Sequence, residues 1–229
     1  SLPNHDQNLL TFGYTLDEIK SIIRPMACDG KEPVGSMGND TPLAVASQQP
    51  QRLFNYFRQH FAQVTNPAID PIREEVIMTL TGYIGSHQKN LLDESPDHAK
   101  MIKFLNPVIT NKYLEILKNL KYKGFFTTTI PILFDAHAGA QGLKQGVDEI
   151  CRKAEQAVDE GKDYIILSDR GVSEHQAPIP SLLAVSAVHH HLIRKKKRIQ
   201  IDIVVETGEP REVMHLALLF GYGASIINP

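Results

Sequence analysis

The chain has 229 residues, 42% hydrophobic and 22% charged, with a formal net charge of −2, which fits one large globular domain or two small ones and excludes the broad positive field that attracts nucleic acid. Its two cysteines, Cys28 and Cys151, form no CxxC, so this chain alone carries neither a disulfide framework nor an iron–sulfur cluster, as suits a reducing compartment. No apolar run approaches the roughly 20 residues of a membrane span, and SLPNHDQNLL lacks the basic start and apolar core of a signal peptide, so a soluble cytoplasmic protein is expected.

Thr15 and Glu18 form a capping box that opens a helix from about Leu16 to Ala27, which Pro25 and CDGKEP then end. In GSMGNDTPLA, Asp40 or Thr41 can cap a short turn with Pro42 in its first position. Pro50 opens a helix whose Leu53, Phe54, Phe57 and Phe61 make an aromatic stripe of core type. The two X-Pro steps of TNPAIDP favour extended Asn66 and Asp70, and Asp70 then caps a helix from Pro71. TGYIGS reads as a short strand, Gln88 to His98 as a polar hairpin or loop, and MIKFLNPVI as a strand ending near Asn106.

From Thr110 the pattern becomes regular. Thr110 caps the helix NKYLEILKNL, FFTTTIPILF is a β-rich run, and GLKQGVDEICRKAEQAVDEG is an amphipathic helix stopped by Gly161. YIILSD, IQIDIVVET and ASIIN read as strands, separated by the helices PSLLAVSAVHHHLIRKKKR and EPREVMHLALLFG. This alternation calls for a parallel sheet with right-handed crossovers and strands covered on both faces. Ser168, Asp169, Glu206, Thr207 and Asn228 put polar groups at the strand ends, as (βα)-barrel enzymes do, yet about four βα units fall short of the eight a barrel needs. The expected fold class is therefore α/β, with parallel βα units forming an incomplete or degenerate (β/α) barrel-like domain over residues 1–229. Residues 1–110 make its helical and irregular part and 111–229 its regular βα units. A start at Ser1 without methionine, and a last strand with nothing after it to cover its edge, lead to the expectation of a fragment of a larger polypeptide.

Each candidate for chemistry has a structural counterpart. His189, His190 and His191 point about 100° apart on a helix, so they suit a helix C-terminus better than one metal ion. Asp135 and His137 in FDAHAG offer an acid–base pair or a turn. Asp169 and Arg170 in SDRG can pair with each other or with a neighbouring domain. Gly221 and Gly223 follow a helix, so they read as a cap and tight turn and not as a phosphate cradle. A free-standing (βα) enzyme acting on a small phosphorylated substrate would use Asp135, His137, Asp169 and Glu206. An interaction module would use the basic run Arg194–Arg198.

The run from Gly35 to Glu75 is the densest in Gly, Pro, Asn and Asp, which specify backbone geometry. Its GSMGNDTPLAVAS and FNYFRQHFAQVTNPAIDPIREEVIMTL resemble the central domain of the glutamate synthase large subunit. LSDRG, PIPSLLAVSAVHHHLI and IVVETGEPREVMHLALLFGYGASIINP extend the resemblance over most of the chain. The resemblance implies a non-catalytic linker between a glutamine amidotransferase domain and a flavin-binding (βα)₈ domain, with FMN and an iron–sulfur cluster held in the latter. In that enzyme ammonia released from glutamine passes internally to 2-oxoglutarate, and the imine is reduced to glutamate, with ferredoxin, NADH or NADPH as electron donor. It implies no catalytic, cofactor-binding or metal-binding residue in this chain. Met37, Asn39, Thr41, Thr65 and Asn66 are expected at the ammonia tunnel or its domain contacts, because rigid Gly/Pro loops wall a neutral passage better than mobile charged side chains.

Overall fold

The computed structural model describes residues 5–33, 43–57, 69–85, 92–120 and 124–229. The helices are α1 (His5–Thr11), α2 (Leu16–Glu18), α3 (Arg24–Asp29), α4 (Pro71–Ile77), α5 (Asn111–Lys118), α6 (Gly139–Asp159), α7 (Ser181–Arg194) and α8 (Val213–Gly221). The strands are β1 (Gly82–Ile84), β2 (Ile102–Phe104), β3 (Thr127–Pro131), β4 (Leu133–Asp135), β5 (Tyr164–Ser168), β6 (Gln176–Pro178), β7 (Asp202–Glu206) and β8 (Ile226–Asn228).

Four strands form a parallel sheet in the order β3-β5-β7-β8. Each strand joins beside its predecessor, the order of a barrel built one βα unit at a time and not of a doubly wound sheet with a reversal. Among the described residues the sheet does not close. The far edge of β8 is met by a parallel bridge from Val108 to Ile227, where Ile109 N–H donates to Ile227 O and Ile227 N–H to Pro107 O, both at 2.8 Å. That segment overturns the expectation of a last strand with an uncovered edge.

The two sheet faces have different partners. Ile165, Leu167, Ile203, Val205 and Ile227 pack with Ile150 and Ala154 of α6, Leu182, Val185 and Val188 of α7, and Leu219 of α8. The alternate residues Tyr164, Ile166, Val204 and Ile226 pack with Leu114 and Leu117 of α5 and with Ile84, Ile109 and Phe125. In a closed barrel this second face would look into the interior; here α5 and the end of the antiparallel β1–β2 pair fill it. Tyr164 Oη donates to Leu117 O at 2.8 Å, and burial pushes the phenol up to about 12.

The β-rich run after Phe125 divides in two. Pro131 ends β3, an edge strand among the described residues, where its missing N–H is tolerated. Leu133–Asp135 then leaves the sheet to pair antiparallel with β6. The ribbon presses on α6 at Gly142 and Gly146: a Cβ on Gly142 would sit 2.8 Å from Asp135 O, and one on Gly146 3.0 Å from Phe134 Cβ. At Gly142 only glycine permits that approach, while at Gly146 a methyl group would press Phe134 and Ile179 aside.

Several boundaries differ from expectation. The first long helix, expected to end near Ala27, runs through Pro25 to Asp29 and is closed by Gly30 at φ 60°. A π-helical segment over Ile19–Ile23 precedes Pro25, and this widening accommodates a residue that lacks a donor and crowds the preceding turn. The helix expected from Pro50 is, within the described residues, only a 3-10 turn over Leu53–Tyr56; Phe61 lies outside them. Phe54 is nevertheless fully buried, as the aromatic stripe requires. α7 stops at Arg194, and Lys196 adopts φ 59°. Asp70 caps α4 as expected, with Oδ1 accepting from Arg73 N–H at 2.9 Å, whereas Thr110 precedes α5 without a side-chain cap.

Gly223 follows α8 at φ 114°, and a Cβ there would fall on the His189 ring. Gly223→Ala is expected to cost about 2–4 kcal/mol in equilibrium urea unfolding, from clash and backbone strain together. Gly161→Ala, at φ 71° with open space around it, should cost only about 1–2 kcal/mol.

Candidate functional site

The carboxyl ends of β5, β7 and β8 open on a cleft of about 590 Å³. Parallel register sets Ser168 beside Glu206 and Glu206 beside Asn228, so a polar row crosses the sheet on the α5 side. Ser168 Oγ donates to Glu206 Oε2 at 2.7 Å, Lys118 Nζ donates to Oε1 at 3.1 Å, and Arg170 Nε contacts the same oxygen. Burial opposes the charge of Glu206, but these donors outweigh it and hold the carboxyl below its ordinary range. Asn228 Nδ2 donates to Ile109 O at 2.9 Å and to Asn111 Oδ1 at 3.0 Å, so α5 meets the row at Glu206 through Lys118 and at Asn228 through Asn111.

The loops beyond the strands hold two more buried carboxylates. Glu209 Oε2 accepts from Ser181 N–H at 2.8 Å and Ser181 Oγ at 2.6 Å, capping α7 where Pro180 has no side chain to do so. Asp169 accepts from Gly208 N–H at 3.1 Å and from the Thr207 hydroxyl, yet burial, with Glu209 and Glu206 nearby, pushes its carboxyl up to about 6.

The N-terminal segment lies across this loop cluster. Phe12 packs on Gly208, and Tyr14 Oη donates to Gly208 O at 2.8 Å. Arg211 donates through Nη1 to both oxygens of Glu18, at 2.8 and 3.0 Å, and through Nη2 to Phe12 O, while its guanidinium carbon sits 3.8 Å over the Tyr14 ring. Arg52 Nη2 reaches Glu18 Oε1 at 2.7 Å, so one carboxylate serves two arginines. Burial raises the carboxyl of Glu18, but the Thr15 N–H and the two guanidinium groups bring it below the usual range. Beside them buried His215 stacks on Phe54 at 4.4 Å, with Nδ1 accepting from Arg211 N–H at 3.1 Å. Burial first, then Arg52 and Arg211, push its imidazole down to about 4, so it is neutral near pH 7.

Of the four residues that a free-standing (βα) enzyme would use, the structure places Asp169 and Glu206 at the cleft, with Arg170, Thr207 and Asn228 beside them. Asp135 caps a turn by accepting from His137 N–H at 2.9 Å, and the His137 ring meets His175 at 2.9 Å; neither Asp135 nor His137 lines the cleft. Asp169 and Arg170, read from sequence as pairing with each other or with a neighbouring domain, do not pair with each other: Arg170 turns to Glu206 and Asp169 accepts from Gly208 N–H. Three consecutive histidines diverge, with His191 bonded to Glu155 at 2.8 Å and His189 accepting from Arg198 Nε at 2.9 Å. The basic run is largely engaged internally, by Lys197 on Asp159 at 2.6 Å and Arg198 on Ile201 O and Gly223 O, which weakens its reading as a docking strip. Met37, Asn39, Thr41, Thr65 and Asn66 all lie outside the described residues. Sequence reasoning missed Tyr14, Arg52, Lys118, Arg211 and His215; apart from the capping-box role of Glu18, nothing local marks partners nearly 200 positions apart.

Comparison with known proteins gives a family model described as glutamate synthase central domain, matching residues 7–229. Similar proteins include the NADH glutamate synthase of Schizosaccharomyces pombe, 43% identical over 98% of this chain and 11% of its own length. The large chain of NADPH glutamate synthase from Bacillus subtilis is 45% identical over 95% of this chain and 14% of its own. The chloroplastic ferredoxin-dependent glutamate synthase of Spinacia oleracea is 43% identical over 97% and 14%. The chain thus spans only 11–14% of the length of these relatives.

Removal of the shared carboxylate in Glu18→Ala leaves buried Arg211 without its counter-charge and is expected to cost about 3–5 kcal/mol in urea unfolding. Asp169 and His215 act on pH dependence in opposite senses. The folded state binds a proton on Asp169 near pH 6 and the unfolded state only near 3.8, so this group adds up to about 3 kcal/mol as pH falls through that window. His215 takes its proton near 6.5 unfolded and near 4 folded, so over nearly the same range it removes about as much. Asp169→Asn is therefore expected to lose about 3 kcal/mol more than the parent between pH 6.5 and 4. Parallel pH profiles for the two proteins would show that Asp169 does not titrate there.

Proposed function

The chain belongs to the glutamate synthase central-domain family, and we propose that residues 1–229 are one non-catalytic domain of a cytoplasmic glutamate synthase polypeptide. Such an enzyme converts glutamine, 2-oxoglutarate and a reductant into two molecules of glutamate. In this reading the domain joins the glutamine amidotransferase and FMN-binding domains and helps to wall the passage of ammonia between them. FMN and the iron–sulfur cluster belong to the adjoining synthase domain.

The observation that carries the proposal is the lopsided match, which takes in 95–98% of this chain but only 11–14% of its relatives. The strand-end geometry supports a structural role. At the place where barrel enzymes display reacting groups, Glu206, Glu209 and Asp169 are engaged with the chain's own donors. A carboxylate held by a serine, an arginine and a lysine is a poor general base, because each donor lowers its proton affinity.

An internal passage for ammonia must keep the molecule unprotonated and out of bulk water. The glycine- and proline-rich sequence around Met37, Asn39, Thr41, Thr65 and Asn66 is the feature on which these residues are proposed to wall it. Met37→Trp and Thr65→Phe, made in the full-length enzyme, are expected to lower glutamate formed per glutamine hydrolysed while hydrolysis continues. Simultaneous assays of both half-reactions check this, and strict proportionality between them would exclude these residues from the passage.

A further inference from the structure

Helix α4 is built by local signals, and nothing among the described residues buries it. Asp70 caps it, Pro71 stands in its first turn, and none of its residues is buried. Seven residues are too few to hold a helix in water on propensity alone, so a helix of this length depends on packing. Its apolar side chains face solvent: Ile72 is 79% exposed and Val76, one turn on, 85%, and the line continues through Ile77, Met78 and Leu80. Arg73, Glu74 and Glu75 lie between these residues, giving α4 an apolar stripe with a charged border.

We propose that α4, with Met78–Leu80 behind it, docks into an apolar groove on another domain of the same polypeptide. This rests on the reading of the chain as one domain of a larger synthase. The occupant is argued from length: the chain matches almost end to end but spans 11–14% of relatives such as the Schizosaccharomyces pombe and Bacillus subtilis proteins. The remainder of such a polypeptide supplies the surface at high effective concentration. The groove would present apolar side chains to Ile72, Val76 and Leu80 and cations to Glu74 and Glu75. This contact is distinct from the loops assigned to the ammonia passage.

Hydrogen exchange of residues 70–80 in the full polypeptide tests the proposal. Expected is protection at least about tenfold above an unstructured peptide of the same sequence, independent of protein concentration. Val76→Asp, at an exposed position where the fold itself is not threatened, should abolish that protection, and Val76→Leu should keep it. Unprotected amides in an intact full-length enzyme would overturn the docking site and leave the proposed function standing. Protection lost on dilution would assign α4 to a second copy of the chain and likewise overturn it. A gene product of only 25.6 kDa would instead overturn the proposed function and, with it, this inference.

Discussion

The buried carboxylate of Glu206 constrains much of this architecture. It stands at the end of a central parallel strand, where a charge without partners would cost several kcal/mol. Compensation comes from three directions: Ser168 on the neighbouring strand, Arg170 in the loop after it, and Lys118 at the end of α5. Lys118 reaches Glu206 only if α5 lies along the face that a barrel would turn inward. Leu114 and Leu117 then seal that face against Tyr164, Ile166, Val204 and Ile226. One ion cluster and one hydrophobic layer thus fix the same helix against the face of the sheet that a closed barrel would turn inward.

A second tie works over a longer span. Arg211, buried just before α8, is neutralised by Glu18 and propped by Tyr14, so the start of the chain is fastened over the loop after β7. The stacked, neutral His215 completes this layer, and Phe54 carries it into the main core. These groups are arranged to stay put. Charges are paired, carboxylates cap helices or bind backbone N–H groups, and the imidazole is held in its uncharged form. The proposed role, positioning neighbouring domains around a neutral intermediate, would call for this kind of fixity more than for reacting groups.

The strand order is that of successive βα units, and α5 covers the face opposite their helices. The four parallel strands and the three helices on the outer face follow the pattern of a (βα) enzyme. The ribbon of β4 and β6 closes over α6 through glycine contacts, adding a layer at the strand ends.

By itself the sequence determined what local chemistry can encode. Capping by Thr15 with Glu18 and by Asp70, the amphipathic period of α6, the apolar runs of β5 and β7 and the helix stop near Gly161 each depend on residues within a turn or two of one another. The same sequence, through the glycine- and proline-rich segments, pointed to the family before any fold was known. Tertiary structure decided the pairing partners: Glu18 with Arg211, Lys118 with Glu206, β4 with β6, and the cover that Pro107–Ile109 lays on β8. It also decided that Arg170 pairs with Glu206 and that the first long helix carries a π-helical segment ahead of Pro25. The physical reason is that an ion pair or a β-ladder is specified by distance in space, and the burial that makes it strong exists only once distant segments have packed.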